Sequence, residues 1–445
     1  MELASPIHPN HKRPLKLMEE SAAKESQIMS VSEAQARRAV RRADLEWAPE
    51  VQDPRAEKGQ KYAHHGMLSL LVAAFAGGQT RLRHVEHFSE DLGVGARRRL
   101  DVPRRISDTA LYELLERQTP AGFRESLRGQ VRSLIEAKVV KADLFPIGVA
   151  SLDGKLCWKT TSRTVEGAKV SVDEKTGTVT SSLSALRAVL TSSKARPCLD
   201  LELIQEKSGE APAFRTLFPR VCQSFGGQFQ VVTADAGITC REDARVVLGQ
   251  GKHYLFAVKG NQRHLHTLAQ DAFACMPGPA RAHPADRRNG ALIFRELHVV
   301  HVAGFPSEVN FPGAVELWRV HQVSTPDDGS AGTTETRFFV SSMPPDLLTP
   351  TQKLELVRLH WGIENGHNWT LDVALEEDDI RPCQSSRDSI EVVTWLRTLA
   401  YNLLATWRTG APPKDRRMLS WARAMQTLRD AFVLAKLERA LATRS

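Results

Sequence analysis

The chain has 445 residues, of which 42% are hydrophobic, and this length predicts two or three compact units rather than a disordered chain. Its 60 Lys and Arg against 52 Asp and Glu leave a formal charge of +8, a modest excess that favours an anionic partner only where it is concentrated. The sequence contains no run of 18 apolar residues and no signal-peptide pattern, so we expect neither a membrane span nor secretion.

The six cysteines are scattered along the chain and form no Cys-x-x-Cys pair. This spacing argues against a structural zinc site and against a disulfide scaffold. Together with the lack of a signal-peptide pattern, it predicts a soluble protein of the reducing cytoplasm.

The N-terminal third is predicted to become helical after a polar start. Residues 1–45 contain few large apolar groups, so we predict a poorly ordered polar extension. Residues 46–143 are predicted to form a helical domain, with an apolar stripe from Met67 to Phe75, a helix opened by Ser107 and another from Pro120 to Ala137.

Residues 144–277 change to an alternation of strands and helices. We predict strands from Ile147 to Leu152, Leu199 to Ile204, Gln228 to Thr233 and Tyr254 to Val258, and helices from Arg241 to Leu248 and Gln262 to Phe273. Such alternation predicts an α/β sheet. This segment is therefore interpreted as the first part of a catalytic core, with Asp153 at the end of its first strand.

The rest of the chain is predicted to contain a β-rich insertion, another core helix and a basic tail. Residues 278–345 show only β segments between turns, and residues 346–405 begin with a helix that Thr349 and Pro350 open. Residues 406–445 look helical and carry nine Lys and Arg against three Asp and Glu. This tail and the run Arg97–Arg99 suit phosphate contacts, although solvated helix faces show the same pattern.

Three acidic residues stand in distinctive local contexts. Asp153 opens an Asp-Gly-Lys sequence, Asp235 ends a Thr-Ala-Asp sequence, and Glu364 lies in the helical sequence from His360 to Asn365. Two Mg²⁺ ions held about 3.5–4 Å apart by carboxylates can activate an attacking oxygen and stabilise a leaving one in phosphodiester chemistry. The order Asp, Asp and helical Glu therefore predicts an RNase H-like fold with a two-metal site.

Each of these residues also has a simpler explanation. Asp153 could open an ordinary turn, Asp235 could cap the following helix, and Glu364 could belong to a buried polar network. A zinc site is disfavoured, because His360 and His367 are seven residues apart and no His-Glu-x-x-His sequence occurs.

Longer blocks of sequence carry a specific resemblance. The segment Arg358–Asn365, continued by Trp369, Leu371–Val373 and Glu377–Asp378, resembles the C-terminal signature of bacterial insertion-sequence DDE transposases of the ISAs type, also called H-repeat-associated proteins. The blocks Asp153–Lys155 and Thr233–Ala236, the latter followed by Lys259–Gln262, resemble the two Asp motifs of that family. The similarity extends over about residues 45–405, with the three blocks in the same order.

The chain departs from the family pattern beside each carboxylate. Leu156–Lys159 stand where the family usually has Thr-Leu-Arg-Gly, Gly237–Cys240 where it often has Leu-His-Thr-Gln, and Gly366–Trp369 where it commonly has Ser-Leu-His-Trp. The three carboxylates are retained. The resemblance therefore implies that the core chemistry is kept while the positioning of DNA differs.

The resemblance implies a DNA transposase that uses two Mg²⁺ ions, for which Mn²⁺ can substitute. Asp153, Asp235 and Glu364 would hold the ions while water releases a 3′-hydroxyl at the transposon end, and that hydroxyl is then joined to target DNA. The implied partners are the terminal repeats, the target DNA and a second copy of the chain in a homodimer that brings two ends together. The implied location is the bacterial nucleoid.

Eight residues of the same motifs are candidate DNA contacts. Lys155, Lys259 and Arg358 could contact phosphates through their charge. The others are Asn261, Gln262, His360, Trp361 and Asn365. The first two of these could instead cap the helix that follows them.

Two other functions are compatible with these residues. A domesticated or inactive relative would bind DNA without catalysis, and the altered motif neighbours motivate this alternative. A metal-dependent nuclease would cut without joining. Pre-cut ends with a free 3′-hydroxyl would distinguish the nuclease, because it would give no strand-transfer product.

Overall fold

In the computed structural model, helices precede the first strand. The structure describes residues 33–206, 209–275, 281–288, 290–304, 306–377, 386–410 and 419–434. Its first helices are α1 Glu33–Ala43, α2 His64–Ala76, α3 Leu82–Asp91, α4 Val94–Arg99, α5 Asp108–Arg117 and α6 Phe123–Glu136. The three helices predicted from the apolar stripe, from Ser107 and from Pro120 are confirmed as α2, α5 and α6.

The strands that the structure describes join one mixed sheet. They are β1 Val149–Thr160, β2 Lys169–Val172, β3 Val179–Val189, β4 Cys198–Ile204, β5 Val231–Ala234, β6 His253–Val258, β7 Arg281–Arg288, β8 Ala291–His301, β9 Glu316–Pro326 and β10 Thr333–Ser341. Their spatial order is β2–β3–β1–β5–β6–β10–β9–β8–β7, and β4 also pairs with β3. β1, β5 and β6 run parallel, whereas β3 is antiparallel to β1 and β4.

Further helices flank this sheet. They are α7 Glu210–Phe225, α8 Arg241–Gly249, α9 Arg263–Cys275, α10 Pro306–Val309, α11 Pro350–Gly362, α12 Arg387–Thr409 and α13 Trp421–Leu434, with π-helical segments Ile363–Asn368 and Thr370–Ala374 after α11. Short 3₁₀ turns lie at Glu57–Gly59, Gly226–Gln228, Gly260–Gln262, Val302–Gly304 and Pro345–Leu347. The predicted α/β architecture is confirmed. None of the described helices is both long and apolar enough to cross a membrane.

Strand β1 is longer than predicted, which changes the setting of Asp153. The parallel partner β5 pairs only with Val149–Leu152, but the antiparallel partner β3 pairs with β1 as far as Thr160. Asp153 therefore lies inside a strand, opposite Arg187. The prediction that a strand ends at Asp153 is wrong, because the long antiparallel edge with β3 continues the strand after the parallel edge has stopped.

The region predicted to be a β-rich insertion, residues 278–345, extends the same sheet. β10, β9, β8 and β7 follow β6 as successive antiparallel strands. The prediction that this region contains β segments alone is wrong in one detail, because the short helix α10 interrupts it.

Helix α7 had no counterpart among the predicted elements. Its sequence contains Pro212 and Pro219, residues that usually argue against a helix. Pro212 lies in the first turn, where backbone N–H groups have no intrahelical partner. Phe214, Phe218 and other buried apolar side chains offset the cost of Pro219 by packing against the sheet.

Helix α1 lies within residues 1–45, where a poorly ordered extension was expected. Its small residues Ala36, Ala39 and Ala43 are buried and repeat at helical spacing. They allow α1 to pack closely against α13. A stripe of alanines carries little hydrophobicity, so the pattern is difficult to recognise without its partner.

A buried ion cluster joins the sheet to α12. Glu377 is 1% exposed, and its carboxylate accepts hydrogen bonds from Arg187 Nη2 at 2.6 Å and from Lys155 Nζ at 3.1 Å. Its backbone oxygen accepts from Arg397 Nη1 at 2.7 Å. Burial opposes the charge of Glu377, but the neighbouring cations Arg187 and Lys155 lower its pKa below the ordinary value. The carboxylate therefore stays ionised as their counter-charge.

Replacing Glu377 should destabilise the fold strongly. Glu377→Gln leaves the buried Arg187 without its counter-charge and Lys155 with Asp372 alone, and breaking a buried ion pair in this way costs about 3–5 kcal/mol. The free energy of unfolding measured in urea checks this. Glu335→Gln is the control, because Glu335 pairs with Arg337 on the surface and such pairs contribute about 0–1 kcal/mol. Equal losses in the two variants would contradict the assignment.

Candidate functional site

The register of the central strands brings Asp153 and Asp235 together. In the parallel pair β1 and β5, Ser151 lies opposite Thr233 and Leu152 lies opposite Ala234. Asp153 directly follows Leu152, and Asp235 directly follows Ala234, the last residue of β5. Neighbouring strands are about 4.8 Å apart. Because alternate residues of a strand share a face, Asp153 lies on the face that carries Ser151. The two carboxylates therefore leave the sheet side by side.

Glu364 approaches this pair from the π-helical segment Ile363–Asn368. This segment packs against β1, and Asn368 Nδ2 donates a hydrogen bond to Asp153 Oδ2 at 2.7 Å. The charge of Glu364 contributes to the raised pKa of Asp153. The structure thus places the segment that carries Glu364 against the strand that carries Asp153.

A fourth carboxylate, that of Glu210, was missed by the sequence analysis. Glu210 is the first residue of α7, and its carboxylate lies directly against Gly154. A Cβ atom at Gly237 would lie 2.7 Å from Glu210 Oε2 and 3.1 Å from Asp235 Oδ1. Both glycines therefore leave the room that Glu210 occupies. The sequence could have indicated Glu210 only through the position of helix α7, which Glu210 begins.

Mutual repulsion and burial shift the pKa values of this group. Burial raises the pKa of Asp153 to about 7, with further contributions from the charges of Glu364, Asp235 and Glu210. Burial and the charge of Asp235 raise the pKa of Glu210 to about 7. The arrangement holds more negative charge than its surroundings neutralise, so it favours protons or a cation.

A buried chain of hydrogen bonds lies one step beneath the carboxylates. Ser151 Oγ is 2.8 Å from Thr233 Oγ1, which is 3.0 Å from His360 Nδ1. Each of these residues precedes a carboxylate: Ser151 and Thr233 by two positions along a strand and His360 by four along a helix. Burial lowers the pKa of His360 to about 4. A neutral His360 therefore acts as a hydrogen-bonding residue that positions the helix of Glu364, and its side chain is buried.

The loop that follows Asp235 is held by the candidate residues Asn261 and Gln262. Both side-chain amides donate to the backbone oxygen of Ala236, at 2.7 and 2.9 Å. Thr239 Oγ1 donates to the backbone oxygen of Asp235 at 2.9 Å. Gln262 Oε1 also accepts from the backbone N–H of Lys259 at 3.3 Å and so caps the 3₁₀ turn Gly260–Gln262, to which it belongs, whereas the alternative predicted a cap of the following helix. These amides position the Asp235 loop.

The two candidate lysines lie in different environments. Lys155 is 8% exposed and forms ion pairs with Asp372 and Glu377, so its ammonium group belongs to the buried ion cluster. Lys259 is exposed beside the turn that holds the Asp235 loop. Of the two, only Lys259 presents its charge at the surface.

The remaining candidates lie on the flank of the Glu364 helix. Arg358 forms an ion pair with Asp286 at 2.7 Å. The Trp361 ring lies under two arginines of the neighbouring strands, with the Arg337 guanidinium 4.5 Å from the ring centroid. Asn365 is exposed and donates to the backbone oxygen of Trp361. Arg358 and Trp361 thus tie this helix to the β-rich region.

Arg196 is a second residue that the sequence did not indicate. Its backbone has a left-handed φ of 48°, a conformation that costs energy in residues other than glycine. Its guanidinium lies against Gly362 and Gly366, where a Cβ at Gly366 would be 2.6 Å from Arg196 Nη1. It lines a cavity of about 440 Å³ with Arg358 and Trp361. No local motif marks this contact, because it joins distant parts of the chain.

The chemistry of the site fits a hard divalent cation. The four side chains offer carboxylate oxygens, which are the ligands that Mg²⁺ prefers, and a cation would relieve their repulsion. Among the described residues, no three Asp, Glu, His or Cys side chains already converge on one point as a bound ion requires. Glu364 is exposed, so its side chain can rotate without disturbing the core.

Removing the Thr233 hydroxyl should loosen the layer beneath the carboxylates. Thr233→Val keeps the shape but leaves Ser151 and His360 with one hydrogen bond fewer, and an unsatisfied buried polar group costs about 1–3 kcal/mol. Urea unfolding measures this loss. Thr216→Val on the surface of α7 is the control and should change stability little. An unchanged stability of Thr233→Val would show that the hydrogen-bond chain contributes nothing.

Comparisons with known proteins identify the family of this chain. A family model described as "Transposase DDE domain" matches residues 160–403, a range that includes Asp235 and Glu364 and begins after Asp153. Among curated proteins of Escherichia coli (strain K12), "H repeat-associated putative transposase YhhI" is 27% identical over 212 residues, which cover 45% of this chain and 52% of that protein. "Putative protein YbfL" is 27% identical over 202 residues, covering 42% and 51%.

The chain therefore spans about half the length of the curated relatives it matches. A chain of the solved piggyBac transposase synaptic complex with hairpin DNA is similar with a TM-score of 0.45 and 11% identity, over 91% of this chain and 83% of that chain. The family match covers more than half of the 445 residues. The chain belongs to the transposase DDE domain family.

Proposed function

We propose that this protein is a DNA transposase that cleaves transposon ends and joins the resulting 3′-hydroxyl to target DNA. The observation that supports this proposal is that adjacent parallel strands carry Asp153 and Asp235 side by side and that the charge of Glu364 acts on Asp153. Family membership supports the same chemistry. We assign the catalytic role to these three carboxylates and a supporting role to Glu210.

The proposed core is RNase H-like. The spatial order β4–β3–β1–β5–β6, antiparallel on one side of β1 and parallel on the other, supports this assignment. The helical domain of residues 46–143, the insertion at 278–345 and the basic tail at 406–445 are part of the same proposal. Much of the tail, including residues 411–418 and 435–445, lies outside the described residues.

Transposases of this family generally use divalent metal ions. When bound, Mg²⁺ would supply Lewis-acid activation of the attacking and leaving oxygens. Asp153, Asp235 and Glu364 would hold it, with Glu210 close enough to take part. Asn368 orients Asp153 through its amide, and the backbone N–H of Gly237 orients Asp235 by donating to its Oδ1 at 2.7 Å. These two hydrogen bonds therefore fix the orientation of the Asp153 and Asp235 carboxylates in the protein alone.

Catalysis should depend on Asp235 while folding should not. Asp235→Ala is expected to abolish Mg²⁺-dependent cleavage of a duplex that carries the sequence flanking the gene, because it removes a central oxygen ligand. Circular dichroism and duplex binding should stay close to wild type. Asp271→Ala, which removes an exposed carboxylate of α9, is the matched control and should cleave normally.

Full cleavage by Asp235→Ala would reject the proposed site. Supplying pre-cut ends with a free 3′-hydroxyl tests the joining step separately. Strand-transfer products support a transposase, whereas cleavage without joining would identify a nuclease. Salt-sensitive binding without either reaction would identify a DNA-binding relative that has lost catalysis.

The raised carboxyl pKa values predict a pH-dependent stability in the absence of metal. Asp153 and Glu210 have ordinary pKa values of 3.8 and 4.5 and titrate at about 7 in the folded protein. Between these values the folded state binds more protons than the unfolded state, so stability falls as pH rises. Mg²⁺ should reduce this fall by neutralising the ionised carboxylates.

Asp153→Asn should therefore raise the melting temperature of the metal-free protein at pH 7 while abolishing cleavage. Melting curves between about pH 4 and pH 8, recorded with EDTA or with Mg²⁺, measure both effects. Asp271→Asn should follow the wild-type curve. A melting temperature of Asp153→Asn that falls below wild type at pH 7 would contradict the repulsion described here.

A further inference from the structure

A large cleft opens beside the Asp235 loop. Its volume is about 870 Å³, and its walls come from the start of α8, the start of α9 and the segment after α10. Four arginines line it, Arg215, Arg241, Arg245 and Arg263, against the single acidic residue Glu242. We call it the arginine cleft. The carboxylates of the catalytic group do not line it.

Much of the positive charge of the arginine cleft is not neutralised. Arg215 forms ion pairs with Glu242 and Asp243, and the Arg241 side chain donates to the neutral side chain of Asn310. Within the described ranges, the side chains of Arg245 and Arg263 take part in none of the ion pairs and side-chain hydrogen bonds, and both residues are exposed. Concentrated like charge of this kind favours an anionic ligand.

Hydrogen bonds connect the arginine cleft to the loop of Asp235. Asn261 and Gln262 lie in its wall, and both donate to the backbone oxygen of Ala236. Thr239, another wall residue, donates to the backbone oxygen of Asp235. The cleft therefore begins within four residues of a proposed catalytic carboxylate and is hydrogen-bonded to its loop.

We propose that the arginine cleft binds backbone phosphates of duplex DNA next to the scissile bond, on the Asp235 side. This inference rests on the proposed function. The catalytic carboxylates repel a phosphodiester, so neighbouring cations must supply the binding energy. Guanidinium groups suit this role because their planar fork matches two phosphate oxygens. Such contacts position DNA without reading its sequence.

The test compares two variants that each lose two positive charges. Arg245→Ala/Arg263→Ala removes the unpaired arginines of the cleft. Arg163→Ala/Lys175→Ala removes two exposed cations from the β1–β3 connections, outside the cleft. Binding to a labelled duplex is followed by fluorescence anisotropy between about 50 and 200 mM NaCl. Melting curves check that both variants are folded, and Arg263→Gln serves as a milder second variant.

The cleft variant should bind every duplex sequence more weakly than wild type. Its slope of log Kobs against log salt should be shallower by about 1.8, since each lost phosphate contact removes about 0.9. The control should keep the wild-type slope. An unchanged slope in the cleft variant, or the same loss in the control, overturns the inference.

These outcomes separate the cleft from the proposed function. If wild type binds with a steep salt slope that the cleft variant loses, but neither cleaves DNA, the cleft is supported and the transposase activity is not. If wild type cleaves and joins DNA while the cleft variant keeps its slope, the cleft is rejected and the activity stands. A wild type that does not bind duplex DNA overturns both.

Discussion

The site depends on a buried layer of hydrogen bonds that keeps mutually repelling carboxylates close to one another. Carboxylates that repel one another would separate on a flexible frame, but here the hydrogen bonds among Ser151, Thr233 and His360 join the two strands and the helix beneath them. Burial keeps His360 neutral by lowering its pKa to about 4, so it adds no titrating charge to this layer. Rigid strands and a buried polar layer thus maintain a geometry that electrostatics alone would oppose, a common property of preorganised sites.

Contacts within the site explain three of the residues that differ from the family pattern. Gly237 leaves room for the Glu210 carboxylate, and Gly366 leaves room for the Arg196 guanidinium. Asn368, in the altered segment after Glu364, orients Asp153. Each of these three residues therefore belongs to a contact with another part of the site.

Local patterns predicted much of the scaffold but not its long-range contacts. Apolar runs and caps indicated α2, β5 and the start of α11, because those signals are contained in a few neighbouring residues. Asp235 was expected after a strand for the same reason, and β5 does end at Ala234. Glu210 and Arg196 could not be found in this way. Both side chains lie against glycines of distant segments, where a larger residue would clash with them. In addition, two prolines argued against the helix that Glu210 begins.

Two arginine-lined cavities lie near the carboxylates, and their ion pairs distinguish them. On the Glu364 side, Arg295 and Arg358 share Asp286, at 3.0 and 2.7 Å, so Asp286 partly neutralises both charges, and the Arg358 pair joins α11 to the β-rich region. In the arginine cleft, Arg245 and Arg263 have no such acidic partner among the described residues. Arginines near the carboxylates thus differ in role: those that share a carboxylate stabilise the fold, and those without an acidic partner among the described residues can bind an anion. Phosphate recognition is accordingly expected on the Asp235 side.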